Sequence, residues 1–287
     1  MLSQKQMLFA ILLSVIPGLG QVYADRLYRG FTFYFGLIFI SWISAIVFTR
    51  IDSRYITIVV LCIPFIYALA ICADAAYCVV KPPQQTKPIK IQTKWYRISV
   101  FILITFSANM LMDYLIGKHI VRAFFVTTES MSPNIMKYDL LLIDKITQPL
   151  AGDVVLLEFS GNNKDESIFK IIESQTLRRI IAAPGDRVEI VGTQVYVNNL
   201  SIKEKYIRFG QSHSHNIYIS KNYRWGPEVV PADSFFVLSD SRQYGFDSRT
   251  FGFVPKSYIR GTVSKVLWSW NLDDGHFKWE RTALNIK

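Results

Sequence analysis

A serine whose neighbours suit acyl transfer lies near the middle of the chain. Ser130 occurs in the stretch Thr127-Thr-Glu-Ser-Met-Ser-Pro133, with Thr128 two residues before it. Acyl transfer by a serine needs an activated hydroxyl, a group that accepts its proton, and hydrogen-bond donors for the developing oxyanion. A serine before Met-x-Pro forms a turn in most proteins, so this stretch alone does not define a site.

Five further motifs follow Ser130 in a fixed order, and together they carry more information than the serine. They are Tyr138-Asp-Leu-Leu-Leu-Ile-Asp-Lys145, Gly152-Asp-Val-Val155, Arg178-Arg-Ile-Ile-Ala-Ala-Pro-Gly-Asp186, Val230-Pro-Ala-Asp-Ser-Phe-Phe-Val-Leu-Ser-Asp240 and Asp247-Ser-Arg-Thr-Phe-Gly-Phe-Val-Pro255. In this order the set resembles the signature boxes of the type I signal peptidases, from roughly Ser130 to Val263. A chance resemblance of several ordered motifs with sensible spacing is improbable.

The resemblance implies a fold, an activity and partners. It implies a β-rich domain resting on the outer membrane surface, and cleavage of secretory signal peptides after small residues. The peptide would bind in an extended form along a strand edge, with small pockets that select its side chains. The implied partners are the signal peptides of secretory preproteins and the lipid bilayer. The implied location is the bacterial inner (cytoplasmic) membrane.

The resemblance also implies roles for individual residues. Ser130 corresponds to the nucleophile, with its own backbone N–H as one oxyanion donor, and Thr128 supplies the hydroxyl of the second donor. Met131 and Pro133 correspond to residues beside the bound substrate. The positions that match the structural support of the family's site are Arg179, Asp240, Asp247 and Arg249.

The proton acceptor departs from the family pattern. In type I signal peptidases a lysine kept neutral by burial takes the serine proton, and it directly precedes an arginine in the box that ends in Pro-Gly-Asp. Aligning on Pro184-Gly-Asp186 puts Arg178 at the lysine position and Arg179 at the arginine position. An arginine stays protonated, with a pKa above ~12, and has no lone pair to accept a proton. Arg178 therefore cannot be the usual general base.

A second departure accompanies the first. The family pattern Ser-x-Asp-Ser-Arg begins with a serine that hydrogen-bonds the catalytic lysine, whereas this chain reads Gly245-Phe-Asp-Ser-Arg249. The lysine and its orienting hydroxyl are thus absent together, while Asp247, Arg249 and Arg179 remain. A family Gly-Asp-Asn turn is also changed, to Ser239-Asp-Ser241.

Two interpretations follow from these departures. In the first, the chain is a signal peptidase I-like serine endopeptidase with another base, and Lys170 and Lys145 are the nearest lysines in sequence. Lys170 follows an inserted polar stretch, Gly161 to Ser167, where a solvated charge is the simpler explanation. In the second, the chain is a catalytically impaired paralogue that binds signal peptides or a secretion partner without turnover. A non-enzymatic membrane scaffold and a peptidase of a specialised secretion system also stay open.

Other chemistries have little support in the sequence. A Ser-His pair would need one of the four histidines, but none of these lies in a motif: His119, His213, His215 and His276. No group of Cys, His, Asp and Glu residues has the spacing of metal ligands, so we predict neither a metal nor another cofactor. The net charge of +10 raises nucleic acid as a partner, but the excess of basic residues lies beside apolar runs, so we predict none.

Three apolar runs are long enough to span a bilayer, which needs about 20 helical residues. They are Phe31–Thr49, Ile56–Val80 and Ile98–Gly117. A shorter run, Met7–Leu19, is interpreted as a re-entrant or short spanning helix. It leads into the Gly- and Tyr-rich stretch Pro17–Gly30, which resembles the PG-x-G-x-x-Y-x-G signature of small two-span membrane modules and predicts a tightly packed helical hairpin. We therefore expect residues 1–118 to be a membrane anchor of three to four helices.

The orientation follows from the distribution of basic residues. The loop 81–97 holds five Lys and Arg residues and no Asp or Glu, and basic loops face the cytoplasm. The third run then exits outward and delivers residues 119–287 to the extracytoplasmic, periplasmic side. All three cysteines lie in the second run or at its edge, so residues 119–287 contain no disulfide framework.

The fold class changes after residue 120. Short β-type runs alternate with turn residues, which predicts a mostly antiparallel β domain. The predicted strands are Leu140–Ile143, Asp153–Phe159, Arg178–Ala182, Arg187–Ile190, Gln194–Val197, Phe235–Leu238 and Gly261–Val266. Four aromatic residues could contact the lipid surface or pack within the domain: Phe124, Phe125, Trp268 and Trp270.

Overall fold

The chain forms two compact units, Met1–Gly117 and Lys118–Lys287. The computed structural model describes residues 2–50, 54–81, 91–159, 175–207, 223–242, 246–271 and 275–286. Lys170, His213, His215 and Gly245, which the sequence singles out, lie outside the described residues.

The first unit is helical, as its apolar runs predict. Its described helices are α1 (Leu2–Leu13), α2 (Leu19–Tyr23), α3 (Leu27–Arg50), α4 (Arg54–Val80) and α5 (Ile91–His119). Among the described residues, three stretches are long and apolar enough to cross a membrane: Leu27–Val47, Cys62–Val80 and Trp95–His119. Helix α1 has 12 residues. At 1.5 Å per residue it extends about 18 Å, which is shorter than the roughly 30 Å of a hydrocarbon core.

The glycine-rich stretch after α1 packs as closely as its sequence predicts. Gly18 adopts a φ of +88°, in the left-handed region that favours glycine. A Cβ atom there would clash with the backbone carbonyl of Gly30 in α3. In the opposite direction, a Cβ on Gly30 would lie 2.7 Å from the carbonyl oxygen of Gly18. The predicted close approach of the two segments is therefore confirmed.

Polar side chains join three helices of the first unit. The Arg29 guanidinium of α3 forms an ion pair with Asp74 of α4, with Arg29 Nε 3.0 Å from Asp74 Oδ2. Gln21 of α2 is buried, and its amide donates to Asp74 Oδ2 at 3.1 Å and to the carbonyl of Ile71 at 2.9 Å. These bonds satisfy polar groups that would otherwise be costly among apolar helices.

The second unit is a mostly β domain with antiparallel strand pairing. Its described strands are β1 (Val121–Phe125), β2 (Asp139–Asp144), β3 (Val154–Glu158), β4 (Gln175–Ala182), β5 (Arg187–Val191), β6 (Gln194–Val197), β7 (Leu200–Ser201), β8 (Arg224–Val229), β9 (Ser234–Leu238), β10 (Val254–Pro255), β11 (Ile259–Asn271), β12 (His276–Phe277) and β13 (Leu284–Asn285). The larger sheet has the order β1-β2-β11-β3-β4-β9-β10, with β12 and β13 also paired to β11. The smaller sheet has the order β7-β6-β5-β8.

Strand β3 shows why the larger sheet is buried on both faces. Its sequence Val154-Val-Leu-Leu157 is apolar at every position, which is typical of a strand with no solvent-facing side. Val154 and Leu156 pack in one core cluster, whereas Val155 and Leu157 pack in another. Because successive side chains on a strand point to opposite faces, one short segment contributes to two cores.

All seven predicted strands are present, but the sequence did not predict β1, β8, the full length of β11, or the two-residue strands β7, β10, β12 and β13. Strand β1 follows α5 closely and continues its apolar character. Strand β8 contains Gly226 and Pro227, which are poor strand formers. Strand β11 has 13 residues, far beyond the predicted Gly261–Val266, because register shifts along it let one strand pair with β2, β3, β12 and β13.

The four aromatic residues considered for lipid contact fall into two groups. Phe124 is partly buried and packs against the core cluster that contains Val126 and Met131, so it is a packing residue. Phe125, Trp268 and Trp270 are exposed. The Trp268 and Trp270 rings lie 6.2 and 6.4 Å from the ring of Phe277, measured between centroids.

Candidate active site

Strand β4 sends two consecutive arginines to opposite faces of the larger sheet. Arg178 pairs in register with Val155 of β3, and Arg179 pairs with Val154. Val155 and Val154 belong to different core clusters on the two faces. The alternation of a strand therefore gives the two arginines different surroundings, although they are adjacent in sequence.

Ser130 lies in the connection between β1 and β2. The ends of this connection are fastened by backbone hydrogen bonds between Val126 and Tyr138 (2.8 Å) and between Val126 and Asp139 (2.9 Å). The Ser130 carbonyl accepts a bond from the Ser241 N–H at 3.0 Å, which links the loop to the segment after β9. Ser130 is only 6% exposed.

Three of the predicted site residues meet at the Ser130 hydroxyl. Thr128 Oγ1 lies 3.2 Å from Ser130 Oγ. Arg178 Nη1 lies 3.2 Å from the same oxygen and donates to it. Among the described residues, these are the side chains within hydrogen-bond distance of the hydroxyl. The structure therefore brings together Ser130, Thr128 and Arg178, and it directs Arg178 into the site.

The Arg178 guanidinium is held firmly in this place. Its Nε donates to the Phe246 carbonyl at 2.7 Å, and its Nη2 donates to the same oxygen at 2.5 Å. Its Nη1 also donates to the Thr176 hydroxyl at 2.8 Å and to the Leu177 carbonyl at 2.5 Å. Arg178 is 4% exposed. These bonds fix the orientation of the guanidinium beside Ser130.

The chemical consequence concerns the direction of the hydrogen bond to Ser130. A guanidinium has five N–H donors and no acceptor, so it uses the serine oxygen as an acceptor. A general base must do the opposite and accept the serine proton. The nitrogen beside the Ser130 hydroxyl therefore cannot activate this serine.

Arg179, on the other face of β4, forms a buried ion pair with Asp240. Its Nε lies 2.8 Å from Asp240 Oδ1 and its Nη2 lies 2.7 Å from Oδ2, with side-chain exposures of 1% and 0%. Asn134 donates to Asp240 Oδ2 at 3.0 Å. Because Asn134 follows Ser130 in the same loop, this pair connects β4, the end of β9 and the serine loop.

Asp247 and Arg249 form a second buried pair, at the short helix α6 (Ser248–Phe251). Arg249 Nε and Nη2 lie 2.8 and 2.7 Å from the two carboxylate oxygens of Asp247. Asp247 also caps the helix by accepting the Arg249 N–H, and it accepts the Ser239 N–H at 3.0 Å. These bonds connect α6 to the turn after β9. Asp247 directly follows Phe246, whose carbonyl accepts hydrogen bonds from Arg178.

A third polar cluster borders the Arg179 pair. The Tyr206 hydroxyl donates to Glu204 at 3.0 Å, and Glu204 forms an ion pair with Arg242. The guanidinium carbon of Arg179 lies 4.1 Å from the centre of the Tyr206 ring. Burial, and then the nearby Glu204 carboxylate, raises the pKa of the Tyr206 phenol well above its usual range.

The remaining predicted residues have other surroundings. Met131 is buried in the core cluster with Val126, and Pro133 follows it in the serine loop. Lys145, one candidate base, donates from Nζ to the Lys118 carbonyl at 3.3 Å. Burial lowers the pKa of Lys145, and the charge of Arg122 lowers it further. Lys170, the other candidate base, lies outside the described residues.

Sequence reasoning missed two partners of Arg178. Thr176 precedes Arg178 by two residues on the same strand, so the two side chains lie on one face of the sheet. This spacing could have predicted their contact. The Phe246 carbonyl is a backbone group, and no residue type announces it. The residue before it, Gly245, occupies the position where the family pattern has the serine that orients the lysine.

Comparison with known proteins identifies the class to which this serine-containing β domain belongs. Residues 94–268 match the family described as Signal peptidase, peptidase S26, and the chain belongs to this family. A signal peptidase I of Leptolyngbya laminosa is 29% identical over 171 residues, which cover 58% of this chain and 78% of the relative. A probable signal peptidase I-2 of Synechocystis is 31% identical over 153 residues, which cover 52% of this chain and 64% of the relative.

Further relatives come from other bacteria. Signal peptidase IB of Staphylococcus aureus is 27% identical over 192 residues, which cover 63% of this chain and 95% of the relative. The crystal structure of a signal peptidase I from Enterococcus faecalis aligns with a TM-score of 0.32 and 25% identity, covering 42% of this chain and 99% of that chain. The relatives found by sequence are thus named signal peptidases, which supports a signal peptidase function for this chain.

Proposed function

We propose that this chain binds the N-terminal signal peptides of secretory preproteins at the Ser130 site and does not cleave them by serine–lysine chemistry. Its membership of the signal peptidase family supports the ligand class. The Ser130–Thr128 arrangement supports the location, because the two hydroxyls that match the family pattern lie 3.2 Å apart in this chain. The missing lysine supports the lack of turnover.

The contact between Arg178 and Ser130 carries this proposal. Arg178 Nη1 lies 3.2 Å from Ser130 Oγ, where a proton-accepting nitrogen would be needed. The pKa of arginine stays above ~12 even in proteins, so no accessible pH turns this group into an acceptor. General-base catalysis contributes about 10²–10⁴-fold to a rate, and the usual group cannot supply it here.

A second candidate is a slow endopeptidase that uses another base. The observation in its favour is that Thr128 Oγ1 lies 3.2 Å from Ser130 Oγ, so the hydroxyls expected to act as nucleophile and oxyanion donor are adjacent. Removal of one oxyanion donor typically costs about 10²–10³-fold in rate, so an intact donor would preserve part of the catalytic power. The same preprotein assay tests both candidates.

We further propose that the chain is a multi-pass protein of the bacterial inner membrane. Residues 1–118 would form the anchor, with the basic loop 81–97 in the cytoplasm and residues 119–287 on the extracytoplasmic side. The three apolar helical stretches support the anchor. The positive-inside rule supports this orientation. The exposed Trp268 and Trp270 are suited to contact with lipid at the bilayer interface, where tryptophan is enriched.

The proposal is tested by incubating the purified full-length protein, in detergent, with a bacterial preprotein. The variants are Ser130→Ala, Arg178→Lys, and Arg178→Lys combined with Gly245→Ser. We expect no cleavage by the wild type and clear cleavage by the double variant, because it restores both the lysine and its orienting hydroxyl. Addition of Ser130→Ala to the double variant should abolish the restored cleavage.

The opposite result is equally informative. Wild-type cleavage that Ser130→Ala abolishes would overturn binding without turnover and establish the slow endopeptidase. Lys145→Ala and Lys170→Ala would then identify the base, since only the variant lacking it should lose activity. Failure of the wild type to bind a signal peptide at all would reject both candidates.

A further inference from the structure

The helical unit contains a cavity between α3 and α5 whose lining combines apolar and polar side chains. Its volume is about 310 Å³, at the lower end of the range for small-molecule sites in proteins. The apolar part of the lining consists of Pro17, Leu37, Ile38, Met112 and Ile116. The polar part consists of Tyr34, Ser41, Trp42, Asn109 and Asp113. An apolar chamber with a few polar groups is the usual form of a ligand site.

The cavity lies towards the ends of α3 and α5, which run in the same direction. The Tyr34 hydroxyl of α3 donates to the Thr105 carbonyl of α5 at 2.5 Å. Eight residues further along each helix, Trp42 and Asp113 both line the cavity. Asp113 precedes the last residue of α5, His119, by six residues, which corresponds to about 9 Å. In a hydrocarbon core of about 30 Å, this end of the cavity belongs to one leaflet, so a lipid-soluble molecule in that leaflet can reach it.

Asp113 places a carboxylate in a candidate membrane span without a described counter-charge. The three candidate spans contain two acidic residues, Asp74 and Asp113. Asp74 is paired with Arg29, whereas the ion pairs among the described residues do not include Asp113. Acidic side chains are costly in lipid and usually face a partner or a polar cavity. A cationic group in the cavity would supply a counter-charge to this carboxylate.

Two aromatic residues add to the suitability of the cavity for a cation. Tyr34 and Trp42 both line it, and cations are attracted to the faces of such rings, most strongly to that of tryptophan. Trp42 Nε1 is buried and has no hydrogen-bond partner among the described residues. A buried N–H donor without an acceptor is destabilising. A ligand oxygen that accepts this hydrogen bond would therefore stabilise the occupied site.

We propose that this cavity binds a single-chain amphiphile that has a cationic amino group and a neighbouring oxygen atom, taken up from the surrounding lipid. The amino group pairs with the Asp113 carboxylate, and the oxygen accepts the Trp42 N–H. The alkyl chain packs on the apolar lining, which includes Ile38 and Ile116. The site lies within the helical unit, so it does not depend on what the Ser130 site binds.

The test uses two amphiphiles that differ in the charge of their nitrogen. N-dodecylethanolamine has a cationic amine and a hydroxyl, whereas N-dodecanoylethanolamine has the same chain length and hydroxyl with a neutral amide. Binding of tritiated N-dodecylethanolamine to the full-length protein in nonionic detergent is measured by scintillation proximity, with each unlabelled amphiphile as competitor. We expect saturable binding. The amide should compete about tenfold more weakly, because hydrogen bonds between charged groups are the stronger ones.

Four variants assign the contacts. Asp113→Asn should abolish the difference between the two competitors, whereas Asp113→Glu should keep it. Trp42→Phe retains an aromatic ring but removes the N–H, so it should weaken both amphiphiles by roughly fivefold. Met112→Trp would fill the cavity and should prevent the binding of both. The control Ser107→Ala, at an exposed position of α5 outside the cavity lining, should alter none of these results.

Three outcomes would contradict the proposal. Equal competition by the amine and the amide in the wild type would show that the cavity does not select a cation. A tenfold difference that persists in Asp113→Asn, or binding that persists in Met112→Trp, would place the ligand outside this cavity. Absence of saturable binding by the wild type would overturn the proposal and leave the proposed signal-peptide function standing.

Discussion

The Asp240→Asn substitution should destabilise the β domain strongly, because it removes the counter-charge of a buried arginine. The Asp240 carboxylate accepts both Nε and Nη2 of Arg179 and also the amide of Asn134. An asparagine keeps the shape but supplies one acceptor oxygen, and its own NH₂ group then faces a donor. Arg179 would retain the Gly152 carbonyl at 2.6 Å and the face of the Tyr206 ring.

The expected cost follows from the burial of both partners. Arg179 and Asp240 have side-chain exposures of 1% and 0%. Loss of one partner from a buried ion pair typically costs about 3–5 kcal/mol, since it leaves an uncompensated charge. For a domain of this size, 1 kcal/mol shifts the melting temperature by about 2–4 °C, so the midpoint should fall by roughly 6–20 °C.

Thermal unfolding in detergent, followed by tryptophan fluorescence, measures this effect. Trp225 is a suitable reporter because its ring packs on Phe236, with centroids 4.4 Å apart. The matched control is Glu158→Gln, which breaks the ion pair with Arg260, where the exposures are 39% and 31%. Pairs of this kind contribute about 0–1 kcal/mol. Equal shifts for the two variants would refute the reasoning that burial makes the Arg179–Asp240 pair important.

Three further predictions concern other parts of the chain. Gly18→Ala should loosen the helical unit, because the added Cβ would clash with the Gly30 backbone carbonyl of α3. The buried Cys78 thiol should then react faster with a thiol-labelling reagent. The control Gly117→Ala should leave this rate unchanged, because its Cβ meets nothing within 4 Å. Burial raises the pKa of Tyr206, so above about pH 10 the folded state binds more protons than the unfolded state. The free energy of unfolding, measured by denaturant titration, should therefore fall more steeply above this pH in the wild type than in Tyr206→Phe. Because burial lowers the pKa of Lys145, NMR titration of ¹³C-methylated protein should show one lysine, absent from Lys145→Ala, that titrates below the exposed lysines.

The sequence predicted the secondary structure best where one physical signal dominated. The apolar runs gave three long helices because length and hydropathy alone determine such segments. Strand β3 was predicted because four consecutive apolar residues lie between turn signals. Strand β8 was missed because its Gly226 and Pro227 argue against a strand, and pairing with β5 overrides that local preference.

The sequence indicated that three residues, Ser130, Thr128 and Arg178, lie together, but it did not indicate their other contacts. The motif order indicated Ser130, Thr128 and Arg178 as neighbours, although about 48 residues separate the serine from the arginine. The direction of the Arg178 side chain depends on which face of β4 it occupies, and this register is set by pairing with β3. The binding of Arg178 to the Phe246 carbonyl depends on the path of the backbone, which residue types do not encode.

The ion pair between Arg29 and Asp74 constrains how the helical unit is assembled during synthesis. Helix α3 leaves the ribosome before α4, so for a time the arginine has no carboxylate to meet, and α4 later brings an acidic residue into an apolar environment. A lone charge within a spanning helix opposes its transfer into lipid, whereas a paired charge opposes it less. If the two helices span the membrane as proposed, integration of α4 would be favoured when α3 is still beside it, and the two helices would be inserted as a joint unit.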